Sequence, residues 1–369
     1  MSRALTFTEF TTSARWPALD GLRALAVLMV ITWHVPGTVF QVLHGNNGVT
    51  IFFVLSGFLI TALGLRAERT QQFRYWPFLA RRAFRILPLL YLGVAAYAVA
   101  VFVLKLDGRA DAYANAIPWI LVNLGEIPVL AVPAAAHGGE GPVPFAAVWS
   151  LGIEEKFYLV WPLIAFALMV RSRHRTAVAA SLCVSVWVYS VLGDPHVVRL
   201  VTHYAPLLLG CTLACALHTR LGHRLLAALS APPAAALAAL GAVVITLNEP
   251  TVAGLIGFQV AVAVIVAFVV LRPHRLAARA LSVRPALFIA AISYPLYLFH
   301  SFGFKAAALV LTRDDGPASA LHLLMCLAVA IPACWMLHRW VEKPMQQLGR
   351  RLTRGRRPAE SRVPELVTT

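Results

Sequence analysis

The chain has 369 residues, of which 59% are hydrophobic and only 13% are charged, and its mean hydropathy is +0.73. Soluble globular domains carry about one quarter charged residues, so this composition excludes an ordinary soluble protein and indicates a polytopic membrane protein. The net charge of +16 could suggest a nucleic-acid partner. No basic face with interleaved aromatic residues lies outside the apolar runs, so we expect membrane lipids and no nucleic acid among the partners.

Apolar runs bounded by Gly, Pro and Arg clusters predict an all-α fold with about ten transmembrane helices. The predicted spans are residues 18–35, 48–65, 83–105, 147–170, 176–193, 198–217, 225–247, 252–271, 286–311 and 318–341. We divide the chain into a cytoplasmic segment 1–17, a transmembrane domain 18–344 and a basic tail 345–369 that is predicted to be disordered.

The loop charges predict the orientation of the chain in the cell membrane. If the spans alternate in direction, 25 Arg and Lys residues fall on one side and four on the other. Because positively charged loops stay in the cytoplasm, both termini are expected there. The longest loop, residues 106–146, then faces the other side, and its middle part, residues 117–130, is apolar enough to lie on the membrane or re-enter it.

The first span, LDGLRALAVLMVITWHV, carries Asp20, Arg23 and His34. The step from Arg23 to His34 is three helical turns plus roughly 20°, about 16 Å along the axis, so the two side chains share one face. Ionisable groups in such a run are costly unless they face a protein interior or a cavity, which suggests a functional stripe. A snorkelling arginine at one interface and a core histidine at the other is the alternative.

Histidine and carboxylate groups are predicted at similar depth on three spans. Glu154 and Glu155 lie about one to two turns below the outer surface, and His34 and His300 fall in the same half of the membrane. A carboxylate that meets a histidine can orient its tautomer and raise its basicity towards a hydroxyl substrate. The glutamates could instead be an interfacial pair facing water, and His300 a core histidine bonded to a neighbouring helix.

Six segments in chain order resemble the marks of the acyltransferase-3 family of integral-membrane O-acyltransferases. They are LDGLRALAVLMVITWHV, GVTIFFVLSGFLIT, RRAFRILPLLY, VWSLGIEEKFYLVWPL, ISYPLYLFH and VEKP, and they span Leu19 to Pro344. The resemblance implies transfer of an acetyl or other short acyl group from acyl-CoA to a hydroxyl of a sugar or related compound. One departure is Lys156, where we expect Gln; a cation beside Glu155 would weaken that carboxylate as an acid or base.

The start of the third span and the Ser56-Gly57 step are the predicted donor site. The guanidinium groups of Arg81, Arg82 and Arg85 suit the phosphates of coenzyme A, although the same arginines satisfy the positive-inside rule. A glycine at position 57 allows close approach of the pantetheine arm or of a partner helix. Ser56 could carry an acyl group, but its own motif contains no base.

The resemblance therefore implies an acyltransferase in which His34 is the general base, or a transient acyl carrier. Glu154 or Glu155 would orient His34, and Arg23 would stabilise the thioester oxygen or a CoA phosphate. Predicted donor-binding residues, with acetyl-CoA as the first donor, are Arg81, Arg82, Arg85, Ser56 and Gly57. Predicted residues for a saccharide, glycolipid or glycosylated-metabolite acceptor are Asp20, Trp149, Ser150, Tyr294 and His300, and no metal is expected.

A transporter or flippase for a polar lipid or sugar, coupled to protons, is the alternative function. Arg23, His34 and the glutamates would then form a proton or substrate pathway. The absence of an obvious hydropathy repeat and the one-sided arginines favour the enzyme.

Overall fold

The computed structural model describes residues 3–13, 15–35, 44–45, 47–130, 143–248, 251–308, 310–311 and 317–353. These residues form helices joined by turns, with no strand among them. The predicted all-α class is therefore confirmed.

The described residues contain 18 α-helices. In chain order they are α1 Phe7–Thr12, α2 Pro17–Trp33, α3 Asn47–Arg69, α4 Tyr75–Ala98, α5 Ala110–Leu121, α6 Glu126–Leu130, α7 Val148–Pro162, α8 Arg175–Leu192, α9 Pro195–Val201, α10 Tyr204–Leu217, α11 Arg220–Leu229, α12 Pro232–Thr246, α13 Val252–Leu271, α14 Leu276–Ala280, α15 Arg284–Ala291, α16 Ser293–Ala308, α17 Pro317–Leu337 and α18 Lys343–Thr353. Short π-helical segments extend α4 over Val99–Val103 and α7 over Leu163–Leu168, and another joins α17 to α18 over His338–Glu342.

Five helical stretches in the described part of the chain are long and apolar enough to cross a membrane, and eight if three bent helix pairs each form one span. The bent pairs are α9 with α10, α11 with α12 and α15 with α16, which turn by 40°, 66° and 76°. The other two of the ten predicted spans are α2 and α7, with 17 and 15 residues. The chain is thus a multi-pass membrane protein, but apolar composition alone did not reveal where its helices break.

Helix α3 is the most enclosed of the long helices and packs on α2, α7, α10 and α13. Its contact with α10 depends on two glycines, because a Cβ on Gly57 would meet the Leu207 carbonyl oxygen and one on Gly210 would meet the Val54 carbonyl oxygen. The two backbones therefore touch directly. Close backbone contact of this kind is typical of membrane helices that associate through small residues.

The loop predicted to lie on or re-enter the membrane is partly helical. Residues 117–130 contain the end of α5 and all of α6, and residues 131–142 lie outside the described ranges. Glu126, the first residue of α6, is only 6% exposed and faces α7. This part of the loop is therefore packed onto the helix bundle.

The prediction of a disordered tail is wrong for residues 345–353, which form most of α18. This helix packs along α4, where Gly349 is buried against the side chain of Phe84. Arg81 of α4 also donates a hydrogen bond to the Thr353 hydroxyl at 3.3 Å. The polar composition of the segment concealed an amphipathic helix whose small-residue face meets α4. Residues 354–369 lie outside the described part of the chain.

Candidate active site

A cavity, which we call the central cavity, lies where α2, α3, α4, α7 and α16 meet. Seven of the predicted site residues line it, and they come from all five helices: Arg23, Ser56, Arg82, Arg85, Ser150, Glu154 and Tyr294. Much of the remaining wall is aromatic, with Phe52, Phe53 and Tyr158 among the largest side chains. The sequence therefore identified most of the polar groups that converge on this cavity.

Glu154 is held by two hydroxyl groups in the central cavity. Ser56 of α3 donates to one carboxylate oxygen at 2.9 Å, and Tyr158 donates to the other at 3.0 Å. The motif around Ser56 contains no base, but the fold supplies a carboxylate from α7. A hydroxyl whose proton points at a carboxylate has the arrangement of an activated nucleophile.

Arg82 and Arg85 line both the central cavity and a second cavity, which we call the basic cavity. The polar residues of the basic cavity are Gln72, Arg74, Arg81, Arg82, Arg85, Gln346 and Arg350. Among the described residues, none of these five arginines forms an ion pair. Unpaired cations that line one cavity attract anions, so the basic cavity is suited to a polyanionic ligand.

The Arg82 side chain is placed by an aromatic ring. Its guanidinium carbon lies 3.3 Å from the centroid of the Tyr158 ring, in a cation–π contact. The Nε atom of Arg82 is buried and has no hydrogen-bond partner in the described part of the chain. Buried polar groups are normally hydrogen-bonded, so this atom is a free donor between the two cavities.

Arg23 lines the central cavity, whereas the neighbouring Asp20 does not. The Asp20 carboxylate accepts a hydrogen bond from Arg23 at 3.3 Å, and its side chain is 51% exposed. Asp20 thus orients Arg23 from outside the cavity. The predicted contact of Asp20 with an acceptor remains a prediction that this placement does not favour.

His34 and His300 form a pair whose ring centroids are 4.8 Å apart, which we call the histidine pair. The Nδ1 atom of His34 lies 2.8 Å from the Val30 carbonyl, and that of His300 lies 2.8 Å from the Tyr297 carbonyl. A carbonyl only accepts, so each Nδ1 carries a proton and, in the neutral ring, each Nε2 has a free lone pair. His34 is exposed, whereas His300 is 1% exposed and its Nε2 has no hydrogen-bond partner among the residues that the structure describes.

The structure brings neither Glu154 nor Glu155 into contact with His34. The Val30 carbonyl takes the place that the sequence analysis gave to a carboxylate, and Glu154 is occupied by Ser56 and Tyr158. One oxygen of Glu155 is buried and accepts no hydrogen bond from any described residue. Equal depth on neighbouring helices was not sufficient for contact, because the side chains must also lie on facing sides.

Tyr297, which the sequence analysis missed, links the histidine pair to the central cavity. Its hydroxyl lies 2.7 Å from the Ser150 hydroxyl inside the cavity, and its ring centroid is 6.5 Å from that of His300. The Tyr294 hydroxyl donates to the Ile86 carbonyl at 2.7 Å and ties α16 to α4. The available signal was the three-residue spacing of positions 294, 297 and 300, which places these side chains on adjacent turns of one helix face.

Three other predicted residues lie outside the central cavity. Trp149 packs its ring 4.6 Å from the ring of His203, a half-buried contact that the sequence did not suggest. Gly57 faces the backbone of Leu207, as helix packing requires. Arg81 lines the basic cavity instead.

Lys156 does not compensate Glu155, although the two are adjacent in sequence. Its ammonium group forms an ion pair with Glu126 of α6, whose side chain is only 8% exposed. The Cβ position of Gly152, one turn earlier in α7, faces the other Glu126 oxygen. The expected weakening of Glu155 by Lys156 is therefore wrong, because the cation is engaged by a different carboxylate.

These groups define the chemistry available at the site. The Nε2 atom of His34 can accept a proton, the bond from Ser56 to Glu154 can support a nucleophile, and the arginines can hold an anionic ligand. Within the described residues, no group of three or more His, Cys, Asp or Glu side chains is arranged to hold a metal ion. All five cysteines are free and buried.

Comparison with known proteins identifies a family and a set of bacterial relatives. A family model described as an acyltransferase domain, of the acyltransferase-3 type, matches residues 16–339. A Bacillus subtilis protein named "Putative peptidoglycan O-acetyltransferase YrhL" is 31% identical over 96% of this chain and 58% of its own length. Peptidoglycan O-acetyltransferase OatA of Listeria monocytogenes is 34% identical over 54% of this chain and 33% of its own length.

O-acetyltransferase OatA of Staphylococcus aureus is 29% identical over 77% of this chain and 50% of its own length. The chain therefore spans only about half the length of the curated relatives that it matches. No solved structure matches the chain.

Proposed function

Because the chain belongs to the acyltransferase-3 family, we propose that it transfers an acetyl or other short acyl group from acyl-CoA to a hydroxyl of a saccharide. Two of the relatives are named for the O-acetylation of peptidoglycan, so peptidoglycan is the first acceptor to test, ahead of glycolipids and glycosylated metabolites. The relatives are named as acetyltransferases, and the transporter or flippase alternative gains no support from them.

The observation that carries the donor assignment is that Arg82 and Arg85 belong to both cavities. Coenzyme A has phosphates at its nucleotide end and a thioester at the end of a long, flexible arm. In this proposal the phosphates bind the arginines of the basic cavity, and the arm passes Arg82 and Arg85 into the central cavity. Acetyl-CoA is the first donor to test.

Arg23 helps to bind the donor in this proposal, at a distance from the proposed base. It lines the central cavity with Arg82 and Arg85, and it lies about 16 Å along α2 from His34. A side chain so far from the proposed base cannot stabilise a carbonyl that reacts beside that base. In the direct route, Arg23 therefore binds a CoA phosphate or a polar group of the arm, and not the thioester oxygen.

In the direct route, the Nε2 atom of His34 takes the proton of the acceptor hydroxyl. The hydroxyl oxygen attacks the thioester carbonyl carbon, a new C–O bond forms, and the C–S bond breaks. The CoA thiolate that leaves then recovers a proton from the imidazolium or from water. The Val30 carbonyl holds His34 in the tautomer that this step needs. Tyr297, which is hydrogen-bonded to Ser150 and lies beside His300, connects the histidine pair to the central cavity.

The bond from Ser56 to Glu154 supports a second route to the same product. Ser56 would attack the thioester and pass its proton to Glu154, which gives an acyl-serine and free CoA. The acceptor hydroxyl would then take the acyl group from Ser56 in a second step. Trapping a labelled acyl group on the protein separates this route from direct transfer.

The proposed orientation places the basic cavity and both termini in the cytoplasm and the histidine pair at the opposite side, as the arginine distribution indicates. Single cysteines introduced as Asp111→Cys and Arg173→Cys test it, since the five native cysteines are all buried. A membrane-impermeant thiol reagent added to intact cells should label position 111 and not position 173. Labelling of position 173 alone would reverse the orientation.

The function is tested with purified protein, labelled acetyl-CoA and peptidoglycan fragments. We expect release of free CoA that depends on the acceptor, and label in an alkali-sensitive ester of the fragment. The acyltransferase proposal is overturned if the protein does not cleave acetyl-CoA with any acceptor tested, but moves a saccharide or lipid across a vesicle membrane.

A further inference from the structure

Helix α18 lies beyond residue 339, where the match to the family model ends, yet it forms one wall of the basic cavity. Gln346 and Arg350 are one helical turn apart on the same face and line the cavity together with the arginines of α4. Arg351 follows directly but does not line the cavity. The helix therefore presents one particular cation to the space in which Arg82 and Arg85 also lie.

The position of α18 is fixed by contacts at both of its ends. Near its start, Gln346 donates a hydrogen bond from its side chain to Glu342 at 2.8 Å, and Glu342 is 2% exposed. Near its end, the Thr353 hydroxyl accepts a hydrogen bond from Arg81. Between them, Gly349 is so close to Phe84 that an added Cβ would lie 2.7 Å from the Phe84 Cβ. Arg350 thus extends from a docked helix and not from a loose tail.

We propose that α18 completes the donor site and that Arg350 binds a phosphate at the nucleotide end of acyl-CoA. This inference rests on the proposed function, and it assigns the outer end of the donor to a helix outside the matched family region. Arg82 and Arg85 line both cavities and would bind the inner part of the donor. Arg350 lines only the basic cavity. Arg350 forms no ion pair within the described residues, so its charge is available to a phosphate.

The experiment compares Arg350→Ala with Arg351→Ala in the full-length, purified protein. Both changes remove one exposed arginine from the same helix, so they alter helix propensity and net charge equally. We expect Arg350→Ala to raise the KM for acetyl-CoA about tenfold with little change in kcat, whereas Arg351→Ala should match the wild type. Arg350→Lys, which keeps the charge, should recover part of the loss.

Acetyl-dephospho-CoA identifies the phosphate concerned. If Arg350 binds the 3′-phosphate, the difference between wild type and Arg350→Ala should disappear with this donor. If Arg350 binds the diphosphate, the difference should persist. Both outcomes support a phosphate contact from α18.

Equal KM values for Arg350→Ala and Arg351→Ala, in an enzyme that still uses acetyl-CoA, would overturn the inference and leave the proposed function intact. An anionic membrane surface is the competing ligand for Arg350. If both variants lose binding to phosphatidylglycerol vesicles equally and keep the wild-type KM, α18 is a membrane-surface helix only. If the wild type does not cleave acetyl-CoA, the proposed function itself fails.

Discussion

Within the described residues, the arginines of the basic cavity form no ion pairs, whereas the charged groups near the end of α16, the helix that carries His300, pair with one another. There, Asp107 pairs with Arg109 at 2.6 Å and with Lys305 of α16 at 3.5 Å. Charged residues therefore have two different roles in this protein. Paired charges hold helices in register, and unpaired charges of one sign are available for a ligand.

The basic cavity therefore carries an energetic cost that the histidine end does not. Several cations that share one cavity repel one another, and a bound polyanion relieves that repulsion. A ligand that binds only the folded protein stabilises it. We accordingly expect the two ends to respond differently to mutation, with affinity changing at the basic cavity and rate changing at the histidine pair.

The largest effect is expected at the histidine pair. His34→Ala or His34→Gln should lower kcat by about 10² to 10⁴, because a positioned proton acceptor normally contributes that much. The KM for acetyl-CoA should stay close to the wild-type value, since His34 lies far from the arginines. His196→Ala, an exposed histidine at the start of α9, is the matched control. Near-wild-type turnover of His34→Ala would show that His34 is not the general base.

The converse pattern is expected at the basic cavity. Arg82→Ala and Arg85→Ala should each weaken acetyl-CoA binding by roughly 1.5–3 kcal/mol, about tenfold to a hundredfold in KM, because each loses a charge-assisted phosphate contact. Arg173→Ala removes an exposed arginine outside both cavities and should have no effect. If all three variants bind acetyl-CoA equally, the arginines of α4 serve only the topology of the chain.

Gly57 tests whether the Ser56-Gly57 step belongs to binding or to packing. Gly57→Ala should lower the free energy of unfolding by about 1–3 kcal/mol, since its Cβ would meet the Leu207 carbonyl. Gly241→Ala on α12 is the control, because a Cβ there has open space. Thermal unfolding in detergent checks both variants. A higher KM for acetyl-CoA without loss of stability would instead support the predicted role of Gly57 in donor binding.

Ser56→Ala distinguishes the two proposed chemical routes. In direct transfer it removes only one hydrogen bond to Glu154, worth about 0.5–1.5 kcal/mol, so kcat should fall about tenfold or less. A loss as large as that of His34→Ala, together with a labelled acyl group trapped on the wild-type protein alone, would establish the acyl-serine route. Mass spectrometry of protein quenched in acid during turnover checks for the adduct.

The smallest effect is expected from the paired charges beside α16. Hydrogen bonding from Arg109 lowers the pKa of Asp107 to about 2, from an ordinary value of 3.8. Because the folded-state pKa is depressed, the ionised carboxylate stabilises the fold above about pH 4, and this contribution is lost as the pH falls towards 2. Asp107→Asn should therefore be less stable by about 1 kcal/mol or less at neutral pH, and the difference should shrink below pH 4. Thermal unfolding across that pH range measures it.

Sequence patterns located positions along helices well and contacts between helices poorly. Span 252–271 matches α13 to the residue, and Arg23, Glu154 and Tyr294 were found before the cavity that they line. Hydropathy and helical rise depend on one segment at a time. Which faces of two helices meet depends on packing partners far away in sequence.

The pairing of a glutamate with His34 failed for that reason. The rotation of each helix about its own axis is set by contacts such as the one between Gly57 and Leu207, which no local pattern reveals. The bends in α9–α10, α11–α12 and α15–α16 were missed on similar grounds, because an apolar run reads the same whether its helix is straight or broken. Helix α18 was missed because its polar composition resembles that of a tail.

The ion pair between Lys156 and Glu126 couples substitutions at two positions that are distant in sequence. Exchanging Lys156 alone for the glutamine expected from the resemblance would leave Glu126 as a buried anion without a counter-charge. The two substitutions should therefore show strong epistasis, with the double variant Glu126→Gln and Lys156→Gln tolerated better than the Lys156→Gln variant. Among relatives, residues at these positions should change together, and chimaeras that join one protein's outer loop to another's α7 should fail unless both partners of the pair are exchanged.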